Sequence, residues 1–431
     1  MVKNLPFAGI IGLVAFVFLV VPPGIQETTA LMAGSTASDL SYLLKNEDLQ
    51  RLGERLFFDE NLSTPPGQSC AACHGPEAGW AGPDERTNRG SSVYAGAMPE
   101  RFGNRKPSSA AYATPAPFLH IEEEDGEKFL VGGNFWDGRA TGWKLGNSAA
   151  DQAQGPLLNP VEQNNPSAKA VVGKVLQSDY AELFRKVCSE IWGIRDVHEN
   201  TNVDTAYGII ALAIAAYENS EEVNQFSSKY DAYLKGKADL TPQEKRGLEL
   251  FEGKGKCGDC HPHKPDPTGA PPLFTDFTYD NLGFPRNPRN PWYSMPSAYN
   301  PDGPAWVDPG LGGFLSQVPQ YAMFASENYG KHRVPTLRNV DKRPYPGFVK
   351  AYGHNGYFKT LEDITHFYNK RDVLPRCDAI SDAQPGVNCW PEPEVPQNVN
   401  KNELGDLKLT LEEETAIVEF MKTLSDGYEL P

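Results

Sequence analysis

The amino-acid sequence predicts a mainly α-helical protein built from two similar domains with long ordered loops. The first observation is a duplicated motif, Cys-x-x-Cys-His, at residues 70–74 and 257–261. The second is that a helix with an apolar stripe precedes each copy, while a third such helix closes the chain. The third is a high content of helix-breaking residues, 37 prolines and 40 glycines among 431 residues, which places much of the chain in loops.

The duplicated motif is typical of covalent haem attachment. Each copy offers two thiols for the vinyl groups of one haem and an imidazole for its iron. These residues are Cys70, Cys73, His74, Cys257, Cys260 and His261. A zinc site would need two further ligands at matching spacing, which follow neither copy, and a thioredoxin-type pair needs no trailing histidine. The sequence therefore predicts two covalently bound haem c groups.

Predicted helices recur in the same order around both motifs. Residues 48–58 carry leucines on one helical face before the first motif. Residues 241–244 read Thr-Pro-Gln-Glu, a capping box with proline at the first helical position, and begin a helix before the second motif. The apolar stretch 205–219 and the capped stretch 410–424 each form a later helix. Cytochrome c folds use this arrangement, so we expect two cytochrome c-like haem domains.

The domain boundaries follow from this repeat. We expect an N-terminal haem domain over residues 38–226 and a C-terminal haem domain over residues 238–431, with residues 227–237 as the connector.

The N-terminus has the pattern of an export signal. Lys3 precedes a 15-residue apolar run at 7–21, and small residues follow at Ala30 and Ala33. A membrane-spanning helix needs about 20 apolar residues, so we expect residues 1–33 to be a cleaved signal peptide, with retention as an anchor as the alternative. The mature protein is then periplasmic and not an integral membrane protein. Its net charge of −16 argues against nucleic acid as a partner.

The remaining cysteines agree with an oxidising compartment. Cys377 and Cys389 bracket a loop rich in proline and aspartate and are predicted to form a disulfide. Cys188 lies in an apolar segment and is predicted to be a buried free thiol.

An ordered set of further motifs extends along the chain. Residues 135–140 read Phe-Trp-Asp-Gly-Arg-Ala, and Gln152-x-x-x-Pro156 and Asn-Pro-Val-Glu at 159–162 follow. Val-Pro-Thr-Leu-Arg-Asn stands at 334–339. Together with the attachment motifs, this order resembles the bacterial di-haem cytochrome c peroxidase and MauG family, which includes protein-oxidising enzymes. The resemblance covers nearly all of the mature chain.

The resemblance implies catalytic roles for four residues of the N-terminal, peroxide-reactive domain. Trp136 would lie between the haems, and Gln152, Pro156 and Glu162 would face the distal side of the first haem. A carboxylate in a pocket of low dielectric can move a proton between the two oxygens of H₂O₂, and a glutamine can orient the peroxide. The alternatives are that Trp136 is a core residue and that Glu162 caps a turn. The chain is also several residues longer between Trp136 and Gln152 than the family norm.

The axial ligands distinguish branches of the family. Conventional members have a distal histidine before the Trp-Asp-Gly-Arg motif, but this loop contains only His120, displaced along the chain, which we interpret as non-ligating. Conventional members also have a methionine fourteen residues after a His-x-Gly motif. Here that motif begins at His354, and Tyr368 stands fourteen residues on, as in MauG-like members. Met323 is the rival ligand, and a core role for Tyr368 is the other alternative.

The resemblance also implies a Ca²⁺ ion between the domains. Candidate ligands are the Asn104 side chain and the carbonyls of Lys342 and Pro344. This chain departs from the family pattern at two of these positions, since the family's Arg-Asn order is reversed at Asn104 and its usual threonine is Lys342.

The predicted function is that of a periplasmic di-haem peroxidase that uses H₂O₂ to oxidise a partner protein through coupled haems. A hard anionic oxygen ligand stabilises oxidised iron, whereas a thioether raises the reduction potential. The nearest alternative is a conventional peroxidase that reduces H₂O₂ with electrons from a small cytochrome c. A pure electron-transfer cytochrome is the third, although it would have no use for Glu162 and Gln152.

Overall fold

A computed structural model describes residues 37–430 of the chain. The predicted signal peptide, residues 1–33, lies outside the described residues. Within residues 37–430, no helix has the length and hydropathy needed to cross a membrane.

Helices dominate the described part of the chain and strands are few, in agreement with the predicted mainly α class. The α-helices are α1 (Ala37–Leu43), α2 (Glu47–Phe58), α3 (Glu85–Arg89), α4 (Ser148–Leu158), α5 (Ala168–Gln177), α6 (Ala181–Trp192), α7 (Val203–Glu218), α8 (Lys229–Leu234), α9 (Pro242–Glu252), α10 (Cys257–Cys260), α11 (Gly310–Leu315), α12 (Leu361–Lys370) and α13 (Leu411–Lys422). The strands are β1 (His120–Glu124), β2 (Glu127–Val131), β3 (Tyr279–Asp280) and β4 (His332–Arg333). They form two antiparallel pairs, β1 with β2 and β3 with β4.

Capping side chains begin the helices beside the two motifs. Asn46 accepts a hydrogen bond from the backbone N–H of Leu49 at the start of α2. The predicted capping boxes at Thr241 and Thr410 are both present, each with a reciprocal glutamate three residues later. The predicted connector, 227–237, also contains a helix, α8, which begins with a capping box at Ser228.

The N-terminal core is built on a close crossing of α2 and α7. A Cβ atom at Gly53 would lie 1.8 Å from the carbonyl oxygen of Ala213, so only glycine allows this approach. One turn further along, the rings of Phe57 and Tyr217 meet with centroids 5.5 Å apart. The crossing buries the apolar faces of both helices in one cluster with α4 and α5.

The C-terminal core repeats this crossing with α9 and α13. A Cβ atom at Gly247 would lie 1.9 Å from the carbonyl oxygen of Ala416. The ring centroids of Phe251 and Phe420 are 5.1 Å apart, again four residues further along each helix. The helix pair beside each Cys-x-x-Cys-His motif therefore packs by the same two contacts.

The cysteine predictions outside the motifs are confirmed. Cys377 and Cys389 form a disulfide that closes a surface loop. Cys188 is a free thiol on α6, fully buried in the N-terminal core.

Candidate haem sites and the residues between them

The first attachment motif opens onto a cavity of about 350 Å³. The structure brings the distal residues named from the sequence into the wall of the same cavity. These lining residues are Cys70, Cys73, His74, Trp136, Gln152, Pro156 and Glu162. Gln152 and Pro156 are four residues apart on α4, so both side chains lie on one helical face.

The second attachment motif opens onto a cavity of about 250 Å³. Cys257, Cys260 and His261 line it together with Tyr368. Tyr368 belongs to α12, whose N-terminus is capped by Thr360.

Both motif histidines have the orientation and the neutral charge that a metal ligand needs. The Nδ1 atom of His74 donates to the carbonyl of Ser108 over 2.9 Å, and that of His261 to the carbonyl of Phe274 over 2.7 Å. Burial lowers the pKa of each imidazole to about 4, so both rings are neutral at physiological pH. A neutral ring anchored through Nδ1 offers Nε2 to iron. The residues present therefore fit haem c at both sites.

The environment of Glu162 suits proton exchange. Its Oε2 atom accepts a hydrogen bond of 2.6 Å from the side-chain amide of Asn159. Burial raises the pKa of Glu162, while Arg139 and the bond from Asn159 act in the opposite direction. Arg139 also lines the cavity and stacks over the Phe135 ring, 3.8 Å from its centroid. The cavity thus holds a carboxyl group that binds its proton more tightly than a glutamic acid in water does.

Trp136 lines both cavities and therefore lies between the two candidate haem sites. Its indole Nε1–H donates to the carbonyl of Lys106 over 2.9 Å, and only 9% of the residue is exposed. The ammonium of Lys106 lies 5.6 Å from the centroid of the indole ring.

The rival axial ligands lie away from the cavities. Met323 is 80% exposed and is not among the residues that line the second cavity. His120 lies on β1, where its ring contacts the Phe118 carbonyl and the Glu122 carboxylate, and it lines neither cavity.

A buried ionic network between the cavities was not foreseen from the sequence. Arg105 forms two hydrogen bonds with the carboxylate of Asp308, of 2.7 and 2.6 Å, and also pairs with Asp137. Asp308 lies 3.2 Å from the ring of His332, which stacks on His354 with centroids 3.5 Å apart. Two of its members belong to motifs noted in the sequence, Asp137 in Trp-Asp-Gly-Arg and His354 in His-x-Gly.

Glu218 is a second carboxyl group that sequence reasoning missed. It ends α7 and lines the first cavity, and burial raises its pKa to about 8. It stands near the end of the strongly apolar stretch 205–219, where no motif marks it.

The candidate calcium ligands do not fit a Ca²⁺ site. The carbonyl of Lys342 already accepts a hydrogen bond of 2.8 Å from the ammonium of Lys350. Of the other two candidate ligands, Asn104 lines the first cavity and Pro344 is exposed on the surface.

Two cavities, each with a Cys-x-x-Cys-His motif in its wall and a shared tryptophan between them, have the arrangement of a di-haem protein. The sequence profile described as di-haem cytochrome c peroxidase matches residues 47–239. The methylamine utilization protein MauG of Paracoccus denitrificans is 32% identical over 387 residues, covering 88% of this chain and 89% of MauG. The chain belongs to the di-haem cytochrome c peroxidase and MauG family.

Two further similar proteins are named as peroxidases. The cytochrome c551 peroxidase of Nitrosomonas europaea is 32% identical over 321 residues, covering 74% of this chain and 72% of that protein. The crystal structure of the diheme peroxidase BthA of Burkholderia thailandensis matches with a TM-score of 0.70 and 30% identity, over 88% of this chain and 86% of BthA. The protein is therefore a di-haem enzyme of the peroxidase family, and its family implies haem c as the cofactor.

Proposed function

We propose that this protein uses H₂O₂ to oxidise a partner protein, with oxidising equivalents shared between two haems. The observation that carries the proposal is Tyr368 in the wall of the second cavity while Met323 is on the surface. A phenolate is a hard anionic ligand that stabilises oxidised iron, and it opposes the reduction of the second haem by a donor cytochrome. Burial raises the pKa of Tyr368, so its phenolate form would depend on ligation to the haem iron.

The chain's own residues supply proton handling and positioning. The haems, when bound, provide iron that exchanges electrons with peroxide. Glu162 accepts a proton from one oxygen of H₂O₂ and returns it to the departing oxygen, while Gln152 orients the peroxide by hydrogen bonding. Trp136 offers an oxidisable ring between the sites. Over the cycle, one H₂O₂ takes two electrons from the partner and two protons to give two water molecules.

A conventional cytochrome c peroxidase is the second candidate. The names of several relatives favour it, including the cytochrome c551 peroxidase of Nitrosomonas europaea. In that function a small cytochrome c would supply the electrons that reduce H₂O₂.

A potentiometric titration of the purified holoprotein, combined with a turnover assay, tests the proposal. We expect the second haem to have a low potential and to resist reduction by a small c-type cytochrome. Rapid H₂O₂ turnover with a reduced small cytochrome, together with a near-infrared band of thioether-ligated ferric haem, would favour the conventional peroxidase instead.

We also propose that the protein works in the periplasm after cleavage of residues 1–33. Support comes from the sequence pattern of the N-terminus, the covalent haem motifs and the Cys377–Cys389 disulfide. N-terminal sequencing of protein from a periplasmic fraction tests this location.

A further inference from the structure

We infer that the ammonium group of Lys350 takes the structural place of the Ca²⁺ ion expected between the domains, so that this protein joins its domains without that metal. Lys350 is 6% exposed. Its Nζ donates to three backbone carbonyls, those of Ala78 over 2.7 Å, Lys342 over 2.8 Å and Asn339 over 3.2 Å. Three donated bonds use all three N–H groups of an ammonium ion, so the protonated form satisfies this site completely.

The three acceptors come from both halves of the chain. Ala78 lies four residues after His74, in the loop that follows the first attachment motif. Asn339 and Lys342 lie in the loop after the Val-Pro-Thr-Leu-Arg-Asn motif of the C-terminal half. The two loops are in direct contact, because a Cβ atom at Gly79 would lie 2.8 Å from the carbonyl oxygen of Asn339. One side chain can therefore bind carbonyls of both loops at once.

The charges around Lys350 oppose a divalent cation. Ca²⁺ prefers six to eight oxygen ligands, usually with carboxylates among them. The nearby carboxylate, Asp341, is paired with Arg343 at 2.6 Å. Lys106, Arg343 and Lys342 all add positive charge near the Lys350 ammonium.

The protonation state of Lys350 reflects two opposing effects. Burial, followed by the charge of Lys106, lowers the pKa of Lys350 to about 7. Hydrogen bonds to three carbonyl dipoles stabilise the ammonium form and act in the opposite direction. Experiments slightly below neutral pH therefore examine the protonated state.

Metal analysis of the haem-loaded protein is the first test. The protein is dialysed against Ca²⁺ and then freed of unbound ions. We expect elemental mass spectrometry to detect far less than one calcium per chain. We expect EGTA to leave the thermal unfolding midpoint and the haem absorption spectrum unchanged. One bound Ca²⁺ per chain, whose removal by EGTA lowers the midpoint, would overturn the inference.

A pair of lysine variants gives the second test. Lys350→Met removes the ammonium and keeps the apolar stem, and we expect a lower thermal midpoint with faster amide hydrogen exchange in both segments 75–81 and 339–343. Lys342→Met is the matched control on the same loop. Among residues 37–430 its ammonium donates to the Asp426 carbonyl alone, over 3.0 Å, and its substitution leaves the three acceptors of Lys350 intact.

The comparison between the variants decides the outcome. If the amide hydrogens of segment 75–81 exchange no faster in Lys350→Met than in Lys342→Met, the ammonium does not join the two loops and the inference fails. If Lys350→Met does not fold, the calcium content and the EGTA response of the unmodified protein still decide the question. Neither result depends on peroxidase activity, so the proposed function is tested separately.

Discussion

Glu162 can exchange a proton within the first cavity because burial raises its pKa while Asn159 and Arg139 still favour its anionic form. We predict that Glu162→Gln retains both haems but slows the reaction with H₂O₂ by about 10²-fold or more, the usual contribution of a general acid–base group. Stopped-flow absorbance after mixing with H₂O₂ measures this rate.

The pH profile gives a second signature of Glu162. The base form exists above its raised pKa, so the rate of the unmodified enzyme should rise with pH through that pKa. Glu162→Gln should lack this rise. Glu77→Gln, at an exposed glutamate of the same domain, is the control and should keep it. An unchanged rate in Glu162→Gln would remove Glu162 from the mechanism.

Trp136 is the oxidisable ring that both cavities share. We predict that Trp136→Phe leaves the spectral response of the first haem to H₂O₂ intact, while the response of the second haem slows or disappears. Trp143→Phe is a matched control, because its indole N–H also donates to a backbone carbonyl, that of Leu119 at 3.0 Å, yet it lines neither cavity. Simultaneous responses of both haems in Trp136→Phe would reduce this tryptophan to a packing role.

Tyr368 separates the two candidate functions at the level of one ligand. We predict that Tyr368→His keeps the second haem attached through Cys257 and Cys260 but changes its absorption spectrum and raises its potential, because a neutral nitrogen replaces an anionic oxygen. Tyr368→His should also lose the ability to oxidise the partner protein. Met323→Leu should alter neither spectrum nor potential, since this side chain is exposed. If Met323→Leu changes the spectrum and potential of the second haem while Tyr368→His does not, Met323 is the ligand.

At the scale of elements, two glycines decide how closely the helices beside each motif approach. We predict that Gly53→Ala or Gly247→Ala lowers the free energy of unfolding by about 1–3 kcal/mol, because the new methyl group overlaps a backbone carbonyl of the facing helix. Guanidinium denaturation measures the change. Gly347→Ala is the control, since its Cβ would meet no atom within 4 Å. Equal stability of all three variants would show that the helices can separate without cost.

At the scale of the whole molecule, the two haem sites differ in their available sixth ligands. His74 is the one histidine among the described residues that line the first cavity, and no methionine lines it. The second cavity offers Tyr368, and His332, His354 and Met421 also line it. We predict one high-spin and one low-spin ferric haem in the oxidised holoprotein, measured by electron paramagnetic resonance at neutral pH. Two low-spin signals would mean that the first site is closed to peroxide.

Features that depend on neighbouring residues or on a covalent bond could be predicted from the sequence. A haem attachment motif occupies five consecutive residues, and the capping boxes at Thr241 and Thr410 need only a partner three residues away. The disulfide joins cysteines 12 residues apart. Such features are set by chemistry within a short stretch of chain, so their patterns can be read without knowing how distant segments pack.

The tertiary structure alone decided which distant groups share a site. Arg105 meets Asp308 across 203 positions of sequence, and Lys350 reaches Ala78 across 272. The choice between Tyr368 and Met323 likewise depends on which one packs into the second cavity, because both are plausible ligands by residue type. These contacts arise from the packing of helices and loops around two cavities, a long-range outcome that no local pattern encodes.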